Sequence, residues 1–242
     1  MDFIDLKAQY TEYKEDINRA IAEVLEHGQF IMGKEVVELE ERLAEFVGVK
    51  HCISVGSGTV SLEIALRALG IGPGDEVIIP TPYWVTYSEQ PRLVGGHPII
   101  VRTQPENGLK ITPEEFQAAI TSRTRMLFLC SPSNPSGAIY TKSELEDLAQ
   151  IAVKNNVYVL SDEIYEKLLY DGAEHHSIAS IDEEIKKLTI VVNGVSKAYA
   201  MTGWRIGYAG GDAEVIHGMN KIQMQEVSHP SSISQKAAVE AL

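Results

Sequence analysis

One lysine, Lys197, stands between a β-branched run and a glycine-rich segment in "NGVSKAYAMTGWRIGY", residues 193–208. An ε-amine in that setting is either an ordinary solvated cation or the nucleophile that condenses with a carbonyl. Other residues able to do chemistry recur just after apolar runs. "CISV" is followed by Gly56, Ser57, Gly58 and Thr59, small residues that open a helix and let backbone N–H groups and the helix dipole reach a phosphate, although a tight connecting turn reads the same way. "EVIIP" leads to Thr81, Pro82, Tyr83 and Trp84, an aromatic pair that either covers a flat ring or packs in the core. "LFLC" leads to "SPSNPSG", where Asn134 sits between prolines as a fixed amide donor or as a turn residue. "VYVLS" leads to Asp162, Glu163, Ile164 and Tyr165. A carboxylate at the end of a buried strand is costly without a cationic partner, so Asp162 asks for one. Arg205 follows Lys197 by eight residues.

The elements that must position these groups alternate along the chain. Residues 7–27 have a helical period with Tyr10, Tyr13, Ile17, Ile21 and Leu25 on one side, closed by Gly28, and "EVVELEERLAEFVG" is a second helix with its own glycine stop. Then come "HCISV", a helix to Leu69, "EVIIP", a helix around residues 84–94, "HPIIV" and a helix opening at Thr112. "TRMLFLC", a helix from Thr141 to Asn155, "NVYVLSDE", "LTIVVNG" and "RIGYAGG" complete the alternation. The apolar runs are continuous, as in parallel strands covered on both faces. The fold class expected is α/β, a three-layer α/β/α sandwich around a mostly parallel sheet. Ligands of such sheets collect at the carboxyl ends of the strands, where the residues above lie. "SISQKAAVEAL" is a helix without a closing residue, which suggests a fragment of something longer.

Composition narrows the partners. The chain has 242 residues, 44% of them hydrophobic and 23% charged, and a formal charge of -13 from 34 acidic and 21 basic residues without a Lys/Arg cluster. Neither nucleic acid nor a membrane is an expected partner, and Met1 to Asp5 lack the basic start of a signal peptide, so a cytoplasmic location is expected. Cys52 and Cys130 have neither metal-ligand nor redox spacing; buried free thiols and no metal site are expected.

Taken together, the strand-end residues describe one ligand. A phosphorylated pyridine aldehyde needs a backbone nest and an arginine for its phosphate, an aromatic to stack on its ring, and a carboxylate to keep its ring nitrogen protonated. It also needs neutral donors for its phenolic oxygen and a lysine for its aldehyde.

"SPSNPSGAIY", "VLSDEIYEKLLYDG" and "NGVSKAYAMTGWRIGY" resemble the class I/II aminotransferases of the fold-type I pyridoxal-phosphate family, aspartate aminotransferase-like members in particular, from about Pro80 to Leu242. The resemblance implies pyridoxal 5'-phosphate as cofactor, Lys197 as the Schiff-base lysine, and Asp162 as partner of the pyridine nitrogen. Tyr165 and Asn134 are then donors to the phenolic oxygen and Trp84 the stacking ring. Arg205, with Ser57, Gly58 and Thr59, is left for the phosphate. A phosphate-binding serine of some relatives, three residues before the lysine, is Gly194 here. Residues 1–79 resemble nucleotide-sugar aminotransferases, so the chain reads as a chimera joined near Ile79 and Pro80. The implied organisation is an N-terminal helical segment, 1–48, and a large cofactor-binding domain, 49–242, without the small C-terminal domain that holds the substrate carboxylate in relatives. The implied function is transfer of an amino group between an amino acid and a 2-oxo acid, in a homodimer whose interface draws on the amino-terminal helix; packing of that helix on its own chain is the alternative. A cofactor-binding domain limited to slow racemase- or decarboxylase-type half-reactions, and a colourless non-enzymatic α/β module, remain the other readings.

Overall fold

The computed structural model describes residues 5–242, the side chains of Leu6 and Gln9 excepted; residues 1–4, which bear on the signal-peptide expectation, lie outside the described residues. Helices α1 (Leu6–His27) and α2 (Lys34–Val47) lead into β1 (His51–Val55), and α3 (Gly58–Ala68) and β2 (Glu76–Pro80) follow. Next come α4 (Glu89–Leu93), β3 (His97–Val101), α5 (Pro113–Ala119), β4 (Thr124–Cys130), α6 (Lys142–Asn155) and β5 (Tyr158–Asp162). The chain ends with α7 (Glu183–Leu188), β6 (Thr189–Gly194), α8 (Val195–Ala198), β7 (Gly207–Gly211), α9 (Ala213–Glu226) and α10 (Ser232–Ala241). The strands form one seven-stranded sheet in the order β1-β7-β6-β5-β4-β2-β3. It is parallel except where β7 runs antiparallel to both β1 and β6.

Both faces of the sheet are buried, which is why its strands read as continuous apolar runs. On β4, Met126 and Phe128 pack with Leu62, Leu66 and Met219 of α3 and α9, while Leu127 and Leu129 face Phe116, Leu145 and Leu148 of α5 and α6. A third cluster joins Leu39 and Leu43 of α2, Tyr208 of β7, and Ala238 and Val239 of α10. These are the three layers expected from sequence.

Local signals fix most helix ends. Thr112 and Thr141 each close a capping box with a glutamate, Glu115 and Glu144. Gly28 and Gly48 end α1 and α2 at φ of 66° and 74°, a conformation that costs glycine least.

Two elements differ from expectation. The helix expected around residues 84–94 is shorter, because residues 84–88 form successive turns, with Tyr87 N–H donating to Trp84 C=O and Glu89 N–H to Thr86 C=O. The apolar side of α1 is also only partly covered. The helix contacts α10, and Ala20 and Val24 are buried with Ile17 and Ile21 half-buried, while Tyr10, Tyr13 and Leu25 are 46%, 49% and 56% exposed. Lys236 of α10 reinforces this seat, its ammonium lying 3.8 Å from Glu23 and 3.6 Å from Glu38.

Candidate active site

The strand ends are in register along one edge of the sheet. Cys130 of β4 pairs with Asp162 of β5, Asp162 with Val192 of β6, Gly194 with Gly207 of β7, and Gly207 with Val55 of β1. Asp162, the turn that begins at Gly56 and the lysine-bearing turn after β6 therefore face one region, as do Asn134 just beyond β4 and Trp84 just beyond β2. Because β7 runs antiparallel, the segment preceding it reaches this edge too, and it carries Arg205.

Asp162 is buried and, among the described residues, no cationic side chain forms an ion pair with it. The partner expected from sequence is not supplied by the protein. Instead Oδ2 accepts the Tyr87 hydroxyl at 2.6 Å and Oδ1 accepts the Ile164 N–H at 3.2 Å. Burial pushes the carboxyl up to about 6, against the lowering pull of these two donors and with a further push from Glu163. Tyr87 is the residue that reading the sequence missed. It is 3% exposed and stands edge-on to both Trp84, 5.8 Å away, and Phe128, 5.4 Å away. It thus links Trp84 to the carboxylate. The signal available was its place three residues after Trp84 on the same turn.

Tyr165 and Asn134 meet as expected, the Asn134 amide donating to the Tyr165 hydroxyl at 3.4 Å. Lys197 closes the group, its Nζ lying 5.7 Å from the centre of the Tyr165 ring. Burial raises the Tyr165 phenol above its usual range, so it stays a neutral donor at ordinary pH. Cys130 and Asn134 line the adjoining cavity together with Tyr83 and Tyr87. Both cysteines are free, and burial pushes the Cys130 thiol up to about 12, which makes it a packing residue and not a nucleophile.

The turn expected to take the phosphate depends on glycine. Ser57 caps α3 by accepting from Val60 N–H, which leaves the backbone of Gly58 and Thr59 at the helix mouth. A Cβ on Gly207 would stand 2.3 Å from Gly58 N, so β7 approaches this turn more closely than any side chain permits. A Cβ on Gly194 would lie 2.9 Å from Ile206 O, so the serine sought at this position has no room. Arg205 has a left-handed φ of 58° and is exposed, with Nη1 donating to Thr202 C=O at 2.9 Å. Among the described residues its other guanidinium N–H groups meet no acceptor, and the residue stands two positions before the contact of Gly207 with the Gly58 turn.

These residues fit pyridoxal phosphate on the protein's own evidence: a buried carboxyl without a cation, a glycine-walled helix mouth, and a lysine beside a phenol and an amide. The comparisons agree. The family model described as aminotransferase class I and II matches residues 11–242, beginning well upstream of Pro80. The aspartate aminotransferase of Bacillus sp. (strain YM-2) is 52% identical over 189 residues, 78% of this chain and 48% of that protein. The asparagine–oxo-acid transaminase of Streptococcus mutans serotype c is 50% identical over 190 residues, again 78% of this chain and 48% of its own length. The structure of the Thermus thermophilus aspartate aminotransferase with maleate superposes at a TM-score of 0.86 with 42% identity, covering 94% of this chain and 61% of that one. The chain spans about half the length of the curated relatives it matches.

Proposed function

The chain belongs to the class I and II aminotransferases, and from that premise we propose that it binds pyridoxal 5'-phosphate at Lys197 and transfers an amino group between an amino acid and a 2-oxo acid. The observation that carries the proposal is Asp162, a buried carboxyl without a protein cation, in register with strand ends that carry a lysine, a phenol and an amide. When bound, the cofactor supplies an aldehyde for the amino group and a ring that accepts the electrons released at the substrate carbon.

In this reading each chain residue has one task. The Asp162 carboxylate holds the proton on the ring nitrogen, and Tyr87, by occupying Oδ2, sets the angle at which that carboxylate is presented. Tyr165 Oη and Asn134 Nδ2 donate to the phenolic oxygen. Trp84 covers one face of the ring and excludes water there. The N–H groups of Gly58 and Thr59, the Ser57 hydroxyl and the Arg205 guanidinium bind the phosphate. Lys197 would hold the cofactor through its aldehyde, and the free Nζ would serve as the base that takes a proton from the substrate carbon and the acid that gives it back.

Dicarboxylic amino acids are the first donors to test, since aspartate aminotransferases stand among the relatives at about half identity. The division into a helical segment, 1–48, and a cofactor-carrying domain, 49–242, belongs to the same proposal. So does the joint near Ile79 and Pro80, which rests on the likeness of residues 1–79 to nucleotide-sugar aminotransferases. A homodimer is proposed on the exposed Tyr10, Tyr13 and Leu25 of α1, and a cytoplasmic setting on sequence grounds alone.

The test is direct. Protein mixed with pyridoxal phosphate, reduced with borohydride and digested, is expected to carry the cofactor on the peptide containing Lys197. Coupled assays with aspartate and 2-oxoglutarate then separate turnover from binding alone. Cofactor on another lysine, or on none, sinks the proposal.

A further inference from the structure

Directly behind Asp162 lies a polar cluster to which the cofactor reading gives no task. Glu163 is 4% exposed, and its carboxylate is met by donors from the end of β5 and from the far end of the following loop. Oε1 accepts the Ser161 hydroxyl at 2.9 Å and the Ser177 hydroxyl at 2.6 Å, while Oε2 lies 3.2 Å from His175 Nε2. Glu163, Glu166 and His175 also offer ligand atoms within 4.8 Å of one another, a spacing compatible with a metal ion. The hydrogen bonds decide against that use. Two hydroxyls and an imidazole already face the Glu163 oxygens, and a cation placed there would displace donors that are otherwise buried.

We propose that Glu163 is a positioning residue for the cofactor site: it clasps the start of the segment at 175–177 to the end of β5 and thereby fixes residues 162–165, which carry Asp162 and Tyr165. The substrate side of this statement rests on the function proposed above; the clasp itself does not. Residues 163–177 contain no helix or strand, and the loop's outer part is exposed, Tyr170 by 75%. A loop of this kind transmits its motion to its root unless the root is held. The backbone ties of the root are Ser131 N–H to Asp162 C=O at 3.3 Å, Glu163 N–H to Val192 C=O at 2.9 Å, Glu166 N–H to Glu163 C=O at 2.9 Å and Leu168 N–H to Tyr165 C=O at 2.8 Å, and none of these bonds joins it to the segment at 175–177. Ile164 N–H, the donor that orients Asp162 Oδ1, lies one residue past the clasp. His175 Nδ1 is buried without a partner, which favours the tautomer with its proton on Nε2, pointing at Glu163, because the other would bury an unsatisfied N–H. On the far side the Asn193 side chain favours the ionised form of Glu166, so the cluster also reaches the turn that leads to Lys197.

The test compares the full-length wild-type chain with Glu163→Leu, Glu163→Gln and Ser177→Ala. In cofactor-free protein, amide exchange of a peptide spanning 158–170 is expected to speed up about tenfold in Glu163→Leu, with a peptide spanning β2 unchanged. With pyridoxal phosphate present, Glu163→Leu is expected to bind about tenfold more weakly and to alter the visible circular dichroism that reports the tilt of the bound ring. Glu163→Gln keeps an acceptor for both serines and is expected to restore most of the affinity; Ser177→Ala loses one donor and should fall about threefold, and it carries the test if Glu163→Leu does not fold. A lower melting temperature with wild-type exchange at 158–170 and wild-type dichroism overturns the proposal, because that is what a merely stabilising residue would give. If the wild-type chain takes up no pyridoxal phosphate, the functional reading fails and the exchange comparison alone judges the clasp. If it does bind and Glu163→Leu matches it in every readout, the clasp fails and the functional reading stands.

Discussion

Replacing Tyr87 by phenylalanine keeps the ring that stands against Trp84 and Phe128 and removes only the hydroxyl 2.6 Å from Asp162 Oδ2. No cavity opens, so the consequence is electrostatic. Burial holds the Asp162 carboxyl at about 6 against an ordinary value of 3.8. Between those two pH values the folded protein keeps a proton that the unfolded chain has released, so this group's contribution to stability is greatest below 3.8 and falls as pH rises to about 6, by about 3 kcal/mol in all. Tyr87 limits that loss, since a hydrogen bond to a buried carboxylate is worth about 1.5–3 kcal/mol and one to the neutral acid about 1 kcal/mol.

Without the hydroxyl the carboxyl rises by roughly one further unit, to about 7, and the descending limb extends to match. Urea unfolding of cofactor-free protein at pH 5, where Asp162 is protonated in both proteins, is expected to show a loss of about 1 kcal/mol for Tyr87→Phe. At pH 8, where both carboxyls are ionised, the loss should reach about 2.5 kcal/mol. The other carboxylates titrate alike in the two proteins and cancel in the difference. Equal losses at the two pH values would refute the coupling of Tyr87 to an ionised Asp162, and a larger loss at pH 5 would reverse its sign.

Lys197→Ala is expected to abolish attachment of the cofactor to its peptide after borohydride reduction and to reduce transamination by at least about a thousandfold, measured with aspartate and 2-oxoglutarate. Gly207→Ala puts a methyl group 2.3 Å from Gly58 N and 2.4 Å from Ser57 C, and should cost about 3 kcal/mol in urea unfolding together with weaker cofactor binding. Thr141→Ala removes a capping box from α6, far from the cofactor, and is expected to lower the melting temperature by about 2–4 °C while leaving the cofactor spectrum as it was. Charging the open side of α1 with Tyr10→Glu and Tyr13→Glu should shift the chain to monomer in sedimentation if that helix lies in the proposed dimer interface, with little effect on the monomer's own stability, since both side chains are about half exposed.

The layers were legible because burial on both faces leaves a plain mark. "TRMLFLC" has no alternation, and in the structure its consecutive residues do enter opposite cores. Capping signals at Thr112, Thr141, Gly28 and Gly48 are equally local and equally readable. α9 gave little signal: its buried side carries Gln223 as well as Val215, Ile216 and Met219, and Gly218 interrupts the helix where a Cβ would press 3.2 Å from the Ala68 Cβ of α3. Tyr87 could be seen as an aromatic but not as a hydrogen-bond donor, because its acceptor lies 75 residues away in the chain. How far the apolar side of α1 is covered was not legible for a related reason. Periodicity shows which residues share a face, whereas what packs against it is α10, at the other end of the chain.

The direction of β7 was the least legible feature and has the largest consequence for the site. In an all-parallel sheet Arg205, which precedes a strand, would lie at the edge opposite Asp162, which ends one. The two share an edge because the chain turns back after β6 and β7 runs antiparallel, pairing Gly207 with both Gly194 and Val55. The sequence "GYAGG" carries no side-chain pattern from which that direction could be read. Its glycines are explained by the reversal: β7 passes against the Ser57 and Gly58 turn at a distance only a residue without a Cβ tolerates. The eight-residue spacing of Lys197 and Arg205 is then the length of one tight return, comprising α8, a single 3-10 turn over Thr202–Trp204, and left-handed residues at Ala200 and Arg205. Lengthening this return by one residue would leave Lys197 in place and turn Arg205 off the helix mouth of α3. Such an insertion should therefore weaken the binding of pyridoxal phosphate far more than that of unphosphorylated pyridoxal, and equal losses for the two ligands would show that Arg205 does not read the phosphate.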